Sequence, residues 1–180
     1  MSSYAAFLRG MNVGGHRIGN EELRAHFTAM GFADVATFRA SGNVVFAGVA
    51  QPLEQVRARI EDGLADALGY AVPTFIRAAD EVRAIAASTP FEPERLQGSA
   101  GKLQVALLAD SPSSQARADA LSAAGDRDGL VFDGREVYWL PNGGVLGSAL
   151  DMTVLARTLG PMTLRTMGTI EQIAAKHFAG

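Results

Sequence analysis

Residues 75–87 of this 180-residue chain can be laid on residues 163–175 without a gap. Ile76 then meets Leu164, Arg77 meets Arg165, Val82 meets Ile170, Ile85 meets Ile173, and Ala86-Ala87 meets Ala174-Ala175. The stretches just before agree as well, Leu64 with Leu155 and Leu68-Gly69 with Leu159-Gly160. Short apolar matches arise by chance, so the order of the surrounding elements carries the greater weight. That order also repeats, which constrains the chain to two copies of one supersecondary unit.

In the first copy, Tyr4 to Met11 reads as a buried strand. A glycine-rich loop follows, and then a helix that Asn20 can cap, with Leu23, Phe27 and Met30 on one face and Gly31 at its end. Asp34 to Ala40 and Asn43 to Gly48 are strands joined across Ser41-Gly42, where glycine supplies the positive φ of a tight hairpin. A helix from Pro52 to Leu68 stops at Gly69, and Val72 to Ala78 is a strand before a helix at about 80–88. This is β-α-β-β-α-β with a trailing helix, the ferredoxin-like unit. The Pro-, Gly- and polar-rich stretch from Thr89 to Gly101 reads as a linker. The order then recurs: a strand in 102–110, a helix in 111–125, a hairpin across Asp133-Gly134-Arg135, a helix near Leu146 to Leu159, a strand at 162–167 and a last helix. The expectation is α+β, two tandem ferredoxin-like subdomains each with a trailing helix: residues 1–92, a linker at 93–101, and residues 102–180.

Composition narrows the function. Hydrophobic residues make up 48% of the chain and charged residues 19%, enough for packed cores and too apolar for wholesale disorder. The net charge of −3 disfavours a protein that coats duplex nucleic acid. The absence of cysteine removes disulfides, thiolate nucleophiles and thiolate metal sites. The opening MSSYAAFLRGMNVGG lacks a secretory pattern, and no apolar run approaches the roughly 20 residues of a membrane span. A cytoplasmic protein without membrane attachment is expected.

Topology says which loops meet. In a split β-α-β unit the first two strands run parallel and the third runs back between them. The first strand-to-helix loop and the first hairpin therefore share one end, which sets Arg9 to Arg17 beside Ser41, Gly42 and Asn43. In the second unit the opposite end gathers Pro141 to Ser148 with Arg165, Thr166 and Thr169.

The stretch Leu8 to Asn20 holds four glycines, two arginines and a histidine, and is long for a connection whose usual median is about four to six residues. Gly10 to Arg17 has P-loop-like glycine spacing without the lysine and Ser/Thr that hold phosphate and magnesium, so it is not a Walker A motif. It still suits an anion. Gly10, Gly14 and Gly15 expose backbone N–H groups, a helix N-terminus follows, and Arg9, His16 and Arg17 add donors. Against this, Glu21 and Glu22 already answer the helix dipole. The plainer alternative is a loop whose glycines serve backbone angles alone. Ser41, Gly42 and Asn43 are also ordinary turn residues. Arg165 either faces the second patch or covers apolar surface with its stem, as is expected of Arg77.

The three histidines (His16, His26, His177) are scattered, with no metal-ligand spacing, and no metal or cofactor is implied. His26 is expected on the solvated face of its helix. Asp126 and Asp128 read as a solvated acidic turn, and Trp139 alternates with Tyr138, one facing the core and the other not. No catalytic constellation assembles.

At LRGMNVGG and SGNVVF the chain resembles the bacterial family known as domain of unknown function 1697, over nearly its whole length. The resemblance implies two ferredoxin-like subdomains and carries no established activity. Arg9, Gly10, Asn12, Gly14, Gly15, Ser41, Gly42 and Asn43 match its motifs intact. A family S-K-L segment stands here as Ser148-Ala149-Leu150, and an R-N-W-N-T segment as Arg165-Thr166-Met167-Gly168-Thr169, keeping Arg165 and Thr169.

The leading expectation is binding of an anionic small molecule, a nucleotide or phosphorylated metabolite, at the first loop. The rivals are an enzyme using Asn12, His16 or Ser41 at the same place, and single-stranded nucleic-acid binding on the sheet.

Overall fold

The computed structural model describes residues 1–11, 14–39, 42–48, 50–99, 102–143, 145, 148 and 150–180. Contacts divide the chain into a first unit of residues 1–85 with 173–180 and a second of residues 86–172.

The first unit runs β1 (Ser2–Leu8), α1 (Asn20–Ala29), β2 (Ala33–Thr37), β3 (Asn43–Gly48), α2 (Leu53–Leu68) and β4 (Thr74–Ala78), with α3 (Ala79–Ala87) beginning in it. Its sheet has the order β2-β3-β1-β4, antiparallel throughout. Tyr4, Ala6 and Leu8 alternate along β1 and pack with Val44, Phe46 and Ile76 against Leu23 and Phe27 of α1 and Val56, Ile60 and Leu64 of α2. The fourfold spacing on α2 is what a helix needs to keep one stripe on the sheet. Each such side chain contributes roughly 1.5–3 kcal/mol on full burial. The residues of the other sheet face, Ala5, Phe7, Val45, Ala47, Phe75 and Arg77, are buried too.

The second unit contains α4 (Pro93–Gly98), β5 (Gln104–Leu108), α5 (Ser114–Ala124), β6 (Gly129–Asp133), β7 (Glu136–Leu140), α6 (Met152–Leu159) and β8 (Met162–Thr166), and α7 (Met167–His177) begins in it. Its sheet order, β6-β7-β5-β8, is the first unit's order restated. Ala106, Leu108, Val137, Trp139 and Met162 meet Ala120 and Ala124 of α5 and Leu155 and Leu159 of α6. Both units are four-stranded antiparallel sheets in the ferredoxin-like order. The register repeats residue for residue: Ala5 faces Arg77 and Ala6 faces Ile76, as Val105 faces Arg165 and Ala106 faces Leu164.

Several local expectations change. Strand β1 ends at Leu8, and Met11 is buried in the first core beyond it. Asn20 is the first residue of α1 and not its cap. The N-cap is Gly19, which offers no side chain to the orphan N–H groups. Strand β2 ends at Thr37, short of the expected Ala40, and Ser41 of the expected hairpin lies outside the described residues. Helix α6 starts at Met152 behind an Asp151 cap, later than expected, because Asp151 accepts the Thr153 N–H at 2.7 Å. The stretch read as a linker holds α4, opened by Pro93 at its first turn, where a missing N–H costs nothing.

Candidate functional site

The β1–α1 connection spans residues 9–19, eleven residues against five (109–113) at the same place in the second unit. Its first residues are tied down by backbone hydrogen bonds. Leu8 N–H donates to Gly42 O at 2.8 Å and Arg9 N–H to Pro73 O at 3.0 Å. The second unit makes the same two bonds, Leu108 to Arg135 O at 2.9 Å and Ala109 to Pro161 O at 3.2 Å. Arg9 thus stands where the shorter connection has an alanine. The loop, the first hairpin and the chain entering β4 meet at one end of the first sheet, as the topology requires.

Gly10, Gly14 and Gly15 take φ of +76°, +65° and +86°. Glycine adopts that left-handed backbone at no steric cost. Arg9, Gly10, Gly14, Gly15, His16 and Arg17 are exposed. The His16 imidazole stacks on the Tyr70 ring at 3.9 Å between centroids, which fixes the middle of the loop to the end of α2. The α1 N-terminus follows without a side-chain cap, with Glu21 and Glu22 in its first turn. Asn12 and Ser41 lie outside the described residues.

At the hairpin, Gly42 has φ +73°, and a Cβ there would stand 3.1 Å from Leu8 Cβ, Leu8 O and Met11 Cγ. Glycine is required twice over, by backbone angle and by the approach of β1. Asn43 is 1% exposed, and its amide donates to Phe38 O at 2.9 Å while Phe38 N–H donates to Asn43 O at 3.0 Å. The Asn43 side chain braces the turn from inside.

In the second unit Arg165 is half-buried and donates to Thr163 Oγ1 and Leu164 O, each at 2.8 Å. Burial lowers its pKa to about 10. Thr169 lies beside Thr166, whose hydroxyl accepts the Thr169 N–H at 3.3 Å, the bond by which a cap residue satisfies the first turn of a helix. Thr169 therefore has structural work at the start of α7. Arg77, expected to cover surface with its stem, is fully buried and donates to Ile76 O at 2.9 Å.

The residue that sequence reasoning missed is Asp128. Expected in a solvated turn, it is 5% exposed. It accepts from Trp139 Nε1 at 2.7 Å, from Asn142 N–H at 3.0 Å and from the Ser148 hydroxyl. Ser148 Oγ in turn accepts Leu150 N–H at 2.9 Å. One carboxylate thereby ties Asn142 and Ser148 of the β7–α6 connection to the core tryptophan. The signal was present: a core tryptophan needs an acceptor for its N–H, and the hairpin register brings residue 128 next to strand β7. Of Trp139 and Tyr138 only one is expected to face the core, yet Tyr138 is buried as well, at 2%. Its burial, with the charges of Glu136 and Asp133, raises its pKa against the opposing bond from Ser88. His26, expected to be solvated, is half-buried, with Nε2 3.8 Å from Glu22 Oε1.

Two ferredoxin-like units, one bearing an exposed glycine–arginine loop, define a duplicated α+β protein. The family model described as Protein of unknown function (DUF1697) matches residues 1–138, and the chain belongs to that family. Among solved structures, the conserved bacterial protein SP0830 from Streptococcus pneumoniae is similar, with a TM-score of 0.72 and 16% identity over 99% of each chain. That likeness shows the fold. No curated protein matches the chain. Among the described residues no helix is long and apolar enough to cross a membrane, and no group of His, Asp and Glu could hold a metal.

Proposed function

We propose that this is a cytoplasmic protein that binds an anionic small molecule, a nucleotide or phosphorylated metabolite, at the β1–α1 connection. One observation carries the reading: three left-handed glycines stand with exposed Arg9 and Arg17 in a loop pinned at its start. Oriented N–H groups supply short-range donors to phosphate oxygens, and guanidinium groups add paired, charge-assisted ones. Gly19, in place of a side-chain cap, leaves the first N–H groups of α1 open to the same ligand.

A second reading, an enzyme at this site, draws on His16. It is the exposed titratable base of the loop, its ring held on Tyr70, and the reading keeps Asn12 and Ser41 as partners in chemistry. Turnover dependent on pH in the histidine range would favour it over simple binding. Binding of single-stranded nucleic acid on the sheet has less support. Stacking needs exposed aromatic side chains on the strands, whereas Phe7, Phe75 and Tyr138 are buried.

The test is a thermal-shift series of the full chain with inorganic phosphate, nucleotides, phosphorylated metabolites and short oligonucleotides. A ligand that prefers the native state at about 100 times its Kd adds roughly 2.7 kcal/mol of stability. Stabilisation by small anions, clearly reduced in Arg9→Ala/Arg17→Ala, is expected. Stabilisation by oligonucleotides alone, or an anion response unchanged in the double variant, contradicts the proposal.

A further inference from the structure

A cleft of about 300 Å³ opens in the second unit, lined by Arg95, Gly98, Ser99, Arg127, Leu140 and Asn142. These six residues bring two cations and no carboxylate, in a chain whose net charge is −3. The arrangement is built by specific packing. Strand β6 opens with Gly129, where a Cβ would stand 2.6 Å from the Phe91 ring and 3.1 Å from Arg95 Nη2. Glycine there lets Phe91 and Arg95 lie against the strand, and the Arg95 guanidinium sits 5.3 Å over the Phe91 ring. Arg127 is exposed, and its neighbour in sequence, Asp128, is turned inward onto Trp139, Asn142 and Ser148. That neighbouring carboxylate is thus occupied elsewhere. The floor is also fixed: Asn142 N–H is held by Asp128, and Ser99 Oγ donates to Pro141 O at 3.3 Å.

We propose that this cleft binds a small phosphomonoester. Two guanidinium groups lining one cleft match a dianion with several acceptor oxygens, which each can take in paired fashion. Leu140 offers apolar contact for a short carbon skeleton. The volume is at the lower end of small-ligand sites, about 300–1,000 Å³, and so suits a compact phosphorylated metabolite better than a dinucleotide. The site lies wholly in the second unit and does not rest on the reading of the β1–α1 loop.

The test is calorimetric titration of the full chain with glycerol 3-phosphate, and with succinate at matched ionic strength as a dicarboxylate probe. Four proteins are compared: wild type, Arg9→Ala/Arg17→Ala, and that double variant with Arg127→Gln or with Arg95→Gln/Arg127→Gln added, so that the first loop does not contribute. Arg127 is exposed, so adding its change should leave the melt of the double variant where it was. The expected result is saturable phosphomonoester binding, weakened about tenfold by Arg127→Gln and further by Arg95→Gln/Arg127→Gln, since one lost charge-assisted contact is worth about 1.4 kcal/mol or more. Arg9→Ala/Arg17→Ala should leave this binding intact, so failure here and failure at the first loop are told apart. Equal binding of succinate, equal binding by the Arg127 variant, or no saturable binding at millimolar phosphomonoester overturns the proposal.

Discussion

Each β-α-β-β-α-β repeat expands one of its two internal strand-to-helix connections to eleven residues, and they choose opposite ones. In the first unit it is β1–α1, residues 9–19, while β3–α2 takes four, 49–52. In the second it is β7–α6, residues 141–151, while β5–α5 takes five, 109–113. The short β5–α5 connection ends in Ser113, whose hydroxyl accepts Ala116 N–H at 3.1 Å. Its long counterpart ends in Gly19 with no such bond. The two long loops also differ in kind. Asn142 and Ser148 of the second are tied to the buried carboxylate of Asp128, whereas the first is held at its start, by the buried Met11 and at His16, and leaves Arg9, Gly10, Gly14, Gly15 and Arg17 exposed. Strand register survives between the units, and the connections diverge. A rigid scaffold with variable loops is where binding residues are usually found.

The largest expected effect lies in the anchored loop. Asp128→Ala strands three donors, including the core indole N–H, and should cost about 4 kcal/mol, as each buried unmet donor costs roughly 1–3 kcal/mol. Urea melts measure it; a loss near zero would mean the loop is not tied to that carboxylate. Next comes the pair of equivalent arginines. Arg77→Ala empties a fully buried site and should cost about 3 kcal/mol, while Arg165→Ala, half-buried, should cost about 1 kcal/mol. Equal losses would show that the two positions are energetically alike despite their different exposure.

The two hairpins offer a finer comparison. Gly42 meets Leu8 and Met11 at 3.1 Å, whereas at Gly134, φ +55°, the nearest atom is Glu136 Oε2 at 3.9 Å. Gly42→Ala should therefore cost about 2 kcal/mol and Gly134→Ala about 1 kcal/mol, backbone strain alone. A reversed order in thermal melts would place the close approach in the wrong unit. The smallest effect concerns residues 173–180 of the first unit. Burial, and then the charge of Lys176, lowers the His177 pKa below its ordinary 6.5. The unfolded chain then takes up the proton first as pH falls, so stability declines with acid in the window below 6.5. His177→Gln should make that acid limb shallower; an unchanged limb would remove His177 as its cause.

The fold was legible because its signals are local and periodic. Tyr4, Ala6 and Leu8 alternate, Val56, Ile60 and Leu64 recur every fourth residue, and Gly31 and Gly69 end their helices in left-handed backbone. The repeated register of Arg77 and Arg165 followed from an ungapped alignment. What escaped were polar residues whose environment comes from distant chain. Asp128 owes its burial to Trp139 and Ser148, eleven and twenty residues away. A turn composition alone says solvent. Arg77 escaped similarly, since an arginine on a strand is ordinarily read as a side chain that reaches water. In the candidate site, topology correctly brought the loop to the hairpin, and the Leu8–Gly42 bond joins them. The stacking of His16 on Tyr70 had no local signal, because the partners are 54 residues apart in sequence.

The central claim is that the open β1–α1 loop of the first unit takes an anion. Backbone amide NMR of the full chain, titrated with inorganic phosphate at constant ionic strength, addresses it directly. The account predicts saturable shifts at the amides of Gly10, Gly14, Gly15 and Gly42, with the equivalent residues Ala109 and Arg135 of the second unit unmoved. Saturable shifts confined to the second unit, or shifts at these glycines that persist undiminished in Arg9→Ala/Arg17→Ala, would contradict it.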